Sequence, residues 1–386
     1  MNQKYQVIIV GGGPVGLFLG ICLHKVGISF KILEKRRKAI SHSKSIGVHP
    51  VSLELFEEMG ILDQFLDLGL IIKRGHAYVN TQKIGTLDFE SCPPPYKYIL
   101  TIPQYQTEYI LEEQLKKVAP NALQRTAEAT EIYDVGQSVR INCTNDVGET
   151  FDLFADFVIG CDGKESIVRD SAEIIFNGGS YNDTYIMGDF TDNTDLNNDA
   201  AIFLHEDGLI ESFPLPVKER RWVVKTDRYM TDIERQDIER RVFERIHHDL
   251  SIAENFMLST FGVQHNLAEQ FVKNRIILAG DAAHVLSPIG GQGMNLGWLD
   301  ANDLWQVFDE IYKKNGEPTT LLKQYEERRI KAAKKAIRRA EFNMALGRKT
   351  RFPQLKKALI WPMLNTPLRN VMARAFTMRG LESWPV

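Results

Sequence analysis

The first 34 residues alternate between short apolar runs and one glycine-rich turn. The pattern predicts, in order, a strand, a turn, a helix and a strand: Tyr5–Val10, Gly11–Gly13, Pro14–Val26 and Phe30–Glu34. Two strands joined through a helix are expected to pair in parallel, because a parallel connection needs a crossover. The chain therefore opens with a βαβ unit.

The periodicity changes in the middle of the chain. Val51–Met59 and Thr107–Ala119 have helical spacing, whereas residues 73–95 and 180–262 contain short alternating runs. Three of these runs predict antiparallel strands of a second sheet: Ala201–His205, Ile210–Leu215 and Arg221–Thr226. A buried strand, Ile276–Ala279, then precedes a glycine turn and a long helix, as in the first unit.

The C-terminal part is strongly basic. From Lys323 onward there are 16 Lys and Arg against 4 Asp and Glu, although the formal net charge of the whole chain is −3. The chain as a whole is therefore not an electrostatic nucleic-acid binder. The pattern predicts a basic helix over Leu322–Ala340 and shorter helices within Phe352–Gly380, broken by Pro362 and Pro367. This segment either packs on the acidic body with a solvated face or makes weak contact with an anionic membrane or cofactor.

The four cysteines lie far apart and form no metal-binding spacing. No run of 18 apolar residues predicts a membrane span, and the short N-terminal apolar run does not resemble a signal peptide. Free, scattered thiols fit a reducing compartment. These features together predict a cytoplasmic protein.

The first glycine turn has the spacing G-x-G-x-x-G at Gly11, Gly13 and Gly16. A strand precedes it, a helix follows it, and Glu34 ends the next strand, which is the context that a dinucleotide site requires. Gly11 permits the tight turn, Gly13 lets a pyrophosphate approach, and Gly16 lets the helix pack closely. The helix start supplies N–H donors for the phosphates. An acidic Glu34 favours FAD or NAD over NADP, and the spacing does not choose between the first two.

A second constellation follows the strand at Ile276. The sequence reads Gly-Asp, then a loop with Pro288 and three glycines, then a helix. Glycines let bare backbone N–H groups approach a flat ligand, and the helix start is positively polarised. The negative edge of a reduced flavin would be stabilised there.

This stretch closely resembles the GD motif of the p-hydroxybenzoate hydroxylase-like, single-component FAD-dependent monooxygenases. The resemblance implies that Asp281 binds the ribityl chain. It also implies a flavin-ring loop formed by Pro288, Gly290, Gly291, Gly293, Met294 and Asn295. His284 is assigned no proton-transfer role, and no metal is needed.

Further segments resemble the same family. Asp162 and Gly163 match its DG motif, and Gln104 matches the residue that leads a helix toward the flavin. Lys44 stands where the family usually has an arginine, so phosphate contact without the bidentate fork is expected. The residues expected to hold the cofactor are Gly11, Gly13, Pro14, Val15, Gly16, Glu34, Lys35, Lys44, Gln104, Asp162, Gly163, Gly280 and Asp281.

The motifs and the resemblance together predict an α/β fold. We expect a discontinuous, Rossmann-like FAD-binding domain at residues 1–72, 96–175 and 264–330. An antiparallel sheet that binds substrate, at 73–95 and 176–263, is inserted into it, and 331–386 form a C-terminal helical segment. The pattern does not indicate an oligomeric state.

The resemblance implies a reaction in which NADH or NADPH reduces FAD. O2 then forms a C4a-hydroperoxide that hydroxylates or epoxidises an aromatic, quinone-like or polyketide small molecule. A base on the inserted sheet would ease attack on a phenol, and His205 and Tyr185 are candidates. Met187, Phe203 and Phe213 are candidates for an apolar pocket wall, although strand alternation leaves open which of them face inward.

Three other functions share part of this pattern. A flavin halogenase normally carries a Trp-x-Trp-x-Ile-Pro segment, which this sequence lacks. An FAD-dependent reductase or oxidase of an isoprenoid or other lipophilic substrate shares the fold and is the principal alternative. A binding module without activity would not need the flavin-ring loop.

Overall fold

The computed structural model describes residues 4–39, 45–349 and 353–380, which form nineteen strands and ten α-helices. The strands are β1 Lys4–Val10, β2 Phe30–Glu34, β3 Gly47–Val48, β4 Leu70–Ile72, β5 Arg74–Val79, β6 Gln82–Asp88, β7 Ile99–Thr101, β8 Leu123–Arg125, β9 Ala127–Asp134, β10 Val139–Asn145, β11 Thr150–Gly160, β12 Phe176–Thr191, β13 Ala200–Leu204, β14 Ile210–Leu215, β15 Glu219–Thr226, β16 Asn255–Ala268, β17 Val272–Lys273, β18 Ile276–Leu278 and β19 His284–Val285. The helices are α1 Pro14–Lys25, α2 Pro50–Glu58, α3 Leu62–Leu68, α4 Gln104–Val118, α5 Ile167–Ser171, α6 Arg235–Ile246, α7 Gln292–Lys313, α8 Pro318–Gly347, α9 Pro353–Asn365 and α10 Leu368–Phe376.

The first sheet has the order β17-β18-β11-β1-β2-β8, with β9 and β10 attached to β11. β1 pairs in parallel with both β2 and β11, as the βαβ pattern predicts. The apolar end of β1, Val7–Val10, lies in one core with Leu17 of α1 and Trp298 of α7. Parallel strands are buried in this way because their crossover helices cover the sheet.

The second sheet has the order β19-β16-β12-β15-β14-β13-β5-β6. Its pairs are antiparallel with one exception: β13 runs parallel to β5, with Ala201 opposite His76. β5 and β6 form a hairpin that lies between α3 and α4 in sequence, far from β13. No tight turn links β13 to β5, so nothing local imposes an antiparallel direction on that pair.

The two faces of the second sheet pack against different neighbours. Ile186 and Trp222 lie in a cluster with Ile238 of α6. Met187 and Val223, one residue further along the same strands, lie in a cluster with Ile289 and Met344. The second face therefore meets the glycine loop before α7 and the C-terminal half of α8.

The connections between the sheets run through single elements. β18 and a short 3-10 helix, Gly280–Ala282, lead directly into β19, which joins the second sheet beside β16. The expected domain limit at 263/264 falls within β16, and the limit at 330/331 falls within α8. The proposed division into domains stays a prediction.

The C-terminal helices differ from the sequence pattern in two ways. α8 is longer than predicted, and its Arg329 is buried against Asp300 of α7, so this basic helix is not only a solvated surface. Pro362 lies inside α9 and does not break it, a correction to the expectation, whereas the break occurs at Pro367. Proline removes one N–H bond, and the helix continues beyond it. None of the described helices has the length and apolar character needed to cross a bilayer.

Candidate cofactor and substrate site

The glycine turn after β1 packs tightly at its two ends. Gly11 has a φ of +109°, and a Cβ there would lie 2.3 Å from the carbonyl oxygen of Cys161. A Cβ on Gly16 would lie 2.0 Å from the carbonyl oxygen of Gly11. A Cβ on Gly13 would meet no atom within 4 Å. The turn is thus open at the one glycine where the sequence predicts an approaching pyrophosphate.

The start of α1 packs closely against Gly280 of the GD segment and against α7. The carbonyl oxygen of Pro14 accepts a hydrogen bond from Trp298 Nε1 at 3.1 Å. Val15 packs so closely on Gly280 and Gly297 that Cβ atoms there would come within 3.1 and 2.5 Å of its side chain. No side chain among the described residues caps the first turn of α1, and that turn contains no acidic residue. Its N–H groups therefore point toward the open side of the turn without a competing acceptor.

Glu34 is buried at the end of β2 and already accepts several hydrogen bonds. Gly12 N–H donates at 2.8 Å, and Arg36 donates from its backbone N–H at 2.8 Å and from Nε at 2.9 Å. Burial would raise the pKa of Glu34, but the bonds and charge of Arg36 and the Gly12 bond outweigh it and lower that pKa. Contact of Glu34 with a ribose stays a prediction. Lys35 is exposed, with Nζ 3.7 Å from the carboxylate of Glu128.

The DG segment follows β11 and is tied to the GD segment. Asp162 accepts hydrogen bonds from Ser166 Oγ at 2.6 Å and from a backbone N–H of α5 at 3.2 Å. Burial raises the pKa of Asp162 despite these bonds. Gly163 has a φ of +83°. Arg169, also in α5, donates to the carbonyl oxygen of Ala282 at 3.2 Å, so the two motifs form one unit.

A buried charge network holds the GD segment against α7 and α8. The carboxylate of Asp300 accepts hydrogen bonds from Gly280 N–H at 2.9 Å, His284 Nε2 at 2.6 Å and Arg329 Nε at 2.6 Å. Burial alone would raise the pKa of Asp300, but the charges and bonds of its partners lower it. His284 is used in this network, and Asp281 lies exposed beside it on the short helix.

The glycine loop turns sharply into α7. Gly290 and Gly291 have φ values of +89° and +65°, a region that favours glycine, and Gly291 is the N-cap of the helix. Pro288 is exposed, and a Cβ on Gly293 would meet no atom within 4 Å. Met294 is half-buried. No described side chain caps this helix and its first turn has no acidic residue, so its N–H groups are available to a ligand.

Asn295 and His49 hold the glycine loop in place by hydrogen bonds. Asn295 Nδ2 donates to the carbonyl oxygens of Gly47 at 2.9 Å and Gly291 at 2.8 Å, and its Oδ1 accepts from His49 N–H and Ser52 Oγ, each at 2.8 Å. The His49 ring lies 3.0 Å from the carbonyl oxygen of that loop's first glycine. Burial lowers the pKa of His49 to about 4. The neutral ring therefore donates through Nε2, and the Asn295 side chain is occupied by protein atoms.

Gln104 begins α4 at the other side of β3. Its Nε2 donates to Glu108 Oε1 at 3.0 Å, and its Oε1 accepts from Ser45 N–H at 3.3 Å. Burial raises the pKa of Glu108. Lys44 lies outside the described residues, directly before Ser45, so its predicted phosphate contact stays a prediction.

The second sheet separates the four substrate candidates. Met187 lies on the face that meets the glycine loop, and Phe213 shares that face by strand alternation. Phe203 lies on the opposite face, where it stacks on Tyr78 with 4.7 Å between ring centroids, so it does not line the loop-facing side as expected. His205 lies in the turn after β13, where its Nδ1 accepts from a backbone N–H at 3.1 Å. It is therefore placed as a turn residue and not as a base.

A cavity of about 680 Å³ lies between α8, α10 and the first turn of α7. Gln292 borders it at the glycine loop, and Phe342 and Phe376 supply apolar walls. Phe376 also lies 6.3 Å from the ring of His49, measured between centroids. The cavity has the size of a small-molecule site and reaches the glycine loop from the side of α8.

Comparison with known proteins decides what this arrangement is. The family model of the FAD binding domain matches residues 4–340. An uncharacterised aromatic compound monooxygenase of Bacillus subtilis (strain 168) is 31% identical over 348 residues, which are 88% of this chain and 68% of that protein. The chain belongs to the FAD-dependent monooxygenases.

Two solved structures resemble this monooxygenase. The p-nitrophenol 4-monooxygenase from Pseudomonas putida DLL-E4 superposes with a TM-score of 0.90 at 22% identity, over all of both chains. The anhydrotetracycline hydroxylase from Streptomyces rimosus gives a TM-score of 0.81 at 26% identity, over 97% of this chain and 76% of that one. Because the sequence identity of the first match is low, that match shows a shared fold and no more.

The residues of the monooxygenase fit FAD. Gly13 and Gly293 leave open space beside the uncapped starts of α1 and α7, which suits a pyrophosphate and an electron-rich ring. Val15 joins the two helix starts into one surface. Among the described residues, no group of His, Cys, Asp and Glu could hold a metal ion.

Several residues of the site were missed by the sequence analysis. His49 and Asp300 both lie in segments that resemble the family, but their partners are distant in sequence and only the fold brings them together. Glu211 was not singled out, because a polar residue in an alternating strand normally faces solvent. The structure instead buries it on the loop-facing side of the second sheet.

Proposed function

We propose that this monooxygenase uses NADH or NADPH and O2 to hydroxylate, or epoxidise, an aromatic, quinone-like or polyketide small molecule. The observation that carries the proposal is the shared cluster of Tyr185, Met187 and Val223 with Ile289. Ile289 belongs to the glycine loop, so an apolar sheet surface suited to a ring lies beside the predicted flavin-ring loop. Two similar proteins support the substrate class by their names, the aromatic compound monooxygenase of Bacillus subtilis and the anhydrotetracycline hydroxylase of Streptomyces rimosus.

FAD bound here would supply the redox chemistry, hydride acceptance from the nicotinamide and reaction with O2. The chain itself would bind and orient. The open backbone at Gly13 and the start of α1 bind the pyrophosphate, and the exposed carboxylate of Asp281 binds the ribityl chain. The start of α7 stabilises negative charge on the ring, and the apolar sheet face excludes water from it.

The nicotinamide cofactor has no cradle of its own in this proposal. The sequence contains one G-x-G-x-x-G, at Gly11, and the GD and DG segments are packed against it. If the nicotinamide binds transiently beside the FAD site, the protein needs no second G-x-G-x-x-G motif.

The test is oxygen incorporation. Purified protein is loaded with FAD and supplied with NADH or NADPH under ¹⁸O2, together with phenols, quinones and polyketide aromatics. The proposal expects substrate-stimulated oxidation of the nicotinamide and one ¹⁸O atom in the product, detected by mass spectrometry. Substrate-dependent oxidation of the nicotinamide with a reduced, oxygen-free product would instead favour the reductase alternative, and release of all the oxygen as hydrogen peroxide would favour an oxidase.

Weak contact between the basic C-terminal segment and an anionic membrane stays a separate prediction. It expects the protein to sediment with anionic vesicles at low salt and to be released as salt rises. A protein that stays in the supernatant at low salt would end this prediction without touching the proposed reaction.

A further inference from the structure

One carboxylate on the loop-facing side of the second sheet, that of Glu211, has no partner in the part of the chain that the structure describes. Glu211 is 5% exposed, and within the described residues no hydrogen-bond donor or cation is paired with its carboxylate. Its cross-strand neighbours are Ile202 and Val223, and Met187 lies beyond Val223. A carboxylate without partners in apolar surroundings is costly, so a structural role does not explain it.

The cations on the same face already have carboxylates. Arg221 donates to both oxygens of Asp189, at 2.6 and 2.7 Å. Lys225 donates to Asp183 at 2.5 Å, and Arg348, at the end of α8, bonds the same carboxylate at 2.8 Å. Three cations therefore share two carboxylates on this face, and none of the three is bonded to Glu211.

A second polar group without a partner among the described residues lies on the same face of the sheet. The Tyr185 hydroxyl is buried without a hydrogen-bond partner among the described residues. Its ring lies between Phe261, at 5.3 Å between centroids, and Lys225 Nζ, at 5.2 Å from the centroid. Burial raises the pKa of Tyr185, and the charge of Glu211 raises it further, so the hydroxyl remains a donor.

We propose that Glu211 and Tyr185 form the polar end of the substrate site and select an uncharged ring that carries a hydroxyl or amino donor. The proposal deepens the proposed function and rests on it for the identity of the ligand as a substrate. The ligand O–H or N–H donates to the Glu211 carboxylate, and the Tyr185 O–H donates to the same ligand atom. A ligand carboxylate is turned away, because two anions in a buried, apolar site repel each other.

The pair also allows one balanced proton shift. A phenol O–H can pass its proton to the Glu211 carboxylate, giving a phenolate and a carboxylic acid. The total charge stays at minus one, and Tyr185 then donates to the phenolate oxygen. No other reactant is needed for this step.

The charge state of Glu211 gives the site a characteristic pH dependence. Burial raises the pKa of Glu211 to about 7. A phenol needs the carboxylate as acceptor, so its binding should tighten by about tenfold between pH 6 and pH 8. An anion such as benzoate needs the protonated form, so its binding should weaken over the same range. The other charged groups on this face are Asp183, Asp189, Arg221, Lys225 and Arg348, and they are bonded to one another and not to Glu211.

The experiment is isothermal titration calorimetry on FAD-loaded, oxidised protein without reductant. The probes are phenol, aniline and benzoate at pH 6, 7 and 8. Wild-type protein should show opposite pH slopes for phenol and benzoate. E211Q should lose both slopes and gain affinity for benzoate at pH 8, whereas Y185F should weaken phenol binding severalfold and keep the slope.

Two control variants change the same groups elsewhere on the second sheet. E206Q alters an exposed carboxylate in the turn after β13, and Y78F alters a tyrosine that stacks on Phe203 on the opposite face. Both should behave as wild type. Flavin absorbance shows that each variant still binds FAD, and the wild-type slopes alone test the proposal if a variant fails to fold.

The proposal is overturned if phenol does not bind, if benzoate binds as well as phenol at pH 8, or if E211Q keeps the wild-type slopes. The measurement involves no turnover. A protein that passes it but incorporates no oxygen from O2 would lose the proposed function and keep the ligand site. A protein that incorporates oxygen but shows no slopes would lose only the role of Glu211 and Tyr185.

Discussion

Substitution of Asp300 tests whether the GD segment is held in place from behind. The carboxylate is fully buried and bonds a backbone N–H of the GD segment, His284 and Arg329. D300N keeps the shape of the side chain but removes its charge. The Arg329 guanidinium, which is 1% exposed, then loses the carboxylate bonded to its Nε.

The expected cost follows from burial. Removing one partner of a buried ion pair costs about 3–5 kcal/mol, whereas an exposed pair is worth about 0–1 kcal/mol. A second ion pair between the same two helices supplies the control: Arg328, which is 50% exposed, donates to Asp303, which is 15% exposed, at 3.0 Å. D303N should therefore lower the free energy of unfolding by less than about 1 kcal/mol.

Urea denaturation, followed by tryptophan fluorescence with and without FAD, measures both variants. D300N should shift the midpoint strongly and also weaken FAD binding, because the one remaining oxygen cannot accept from both Arg329 Nε and Gly280 N–H. Equal, small shifts for D300N and D303N would refute the argument that the buried network positions the GD segment.

Three further predictions follow from the same contacts. G13A should weaken FAD binding at least about tenfold by fluorescence titration. It should leave the thermal midpoint unchanged, since its Cβ meets no protein atom. The control G75A, at an equally open glycine of the second sheet, should change neither the FAD affinity nor the thermal midpoint. N295A should weaken FAD binding and lower the thermal midpoint, because it removes four hydrogen bonds that shape the loop. The pKa of His49 is lowered to about 4 in the folded protein, so the free energy of unfolding should fall as the pH drops below 6.5, the ordinary pKa of histidine. The pKa of Glu211 is raised to about 7, so the free energy of unfolding should fall as the pH rises from 4.5, the ordinary pKa of glutamate. Urea midpoints of H49Q and E211Q across this range should each lose one of these opposite slopes.

The local features of the fold were predictable because residue type alone determines them. β2 and β14 match the predicted runs residue for residue, and β1 and α1 differ by one residue at one end each. Gly11 and Gly16 are required by contacts with the neighbouring backbone that no side chain would permit. The Gly16 contact lies within the βαβ unit, so the sequence of that unit contains the information needed, whereas the Gly11 contact is made with Cys161 after β11.

The orientation of the second sheet was not predictable in the same way. Alternation shows that Met187 and Tyr185 share a face, and that Ile186 faces the other way. It does not show that α6 covers the Ile186 side, because that depends on a packing partner fifty residues later. For the same reason, Phe203 was expected in the pocket wall, and the burial of Glu211 on the loop-facing side was not expected.

The glycine loop shows why the missed residues matter for the cofactor. Its shape is held by Asn295 and His49, which lie 246 positions apart, and by protein atoms alone. A loop held in this way presents its N–H groups before any ligand arrives, which lowers the cost of binding. N295A would leave every one of those N–H groups in the chain and remove only what orders them. Loss of FAD affinity in that variant would therefore measure preorganisation directly, and unchanged affinity would mean that the cofactor itself orders the loop.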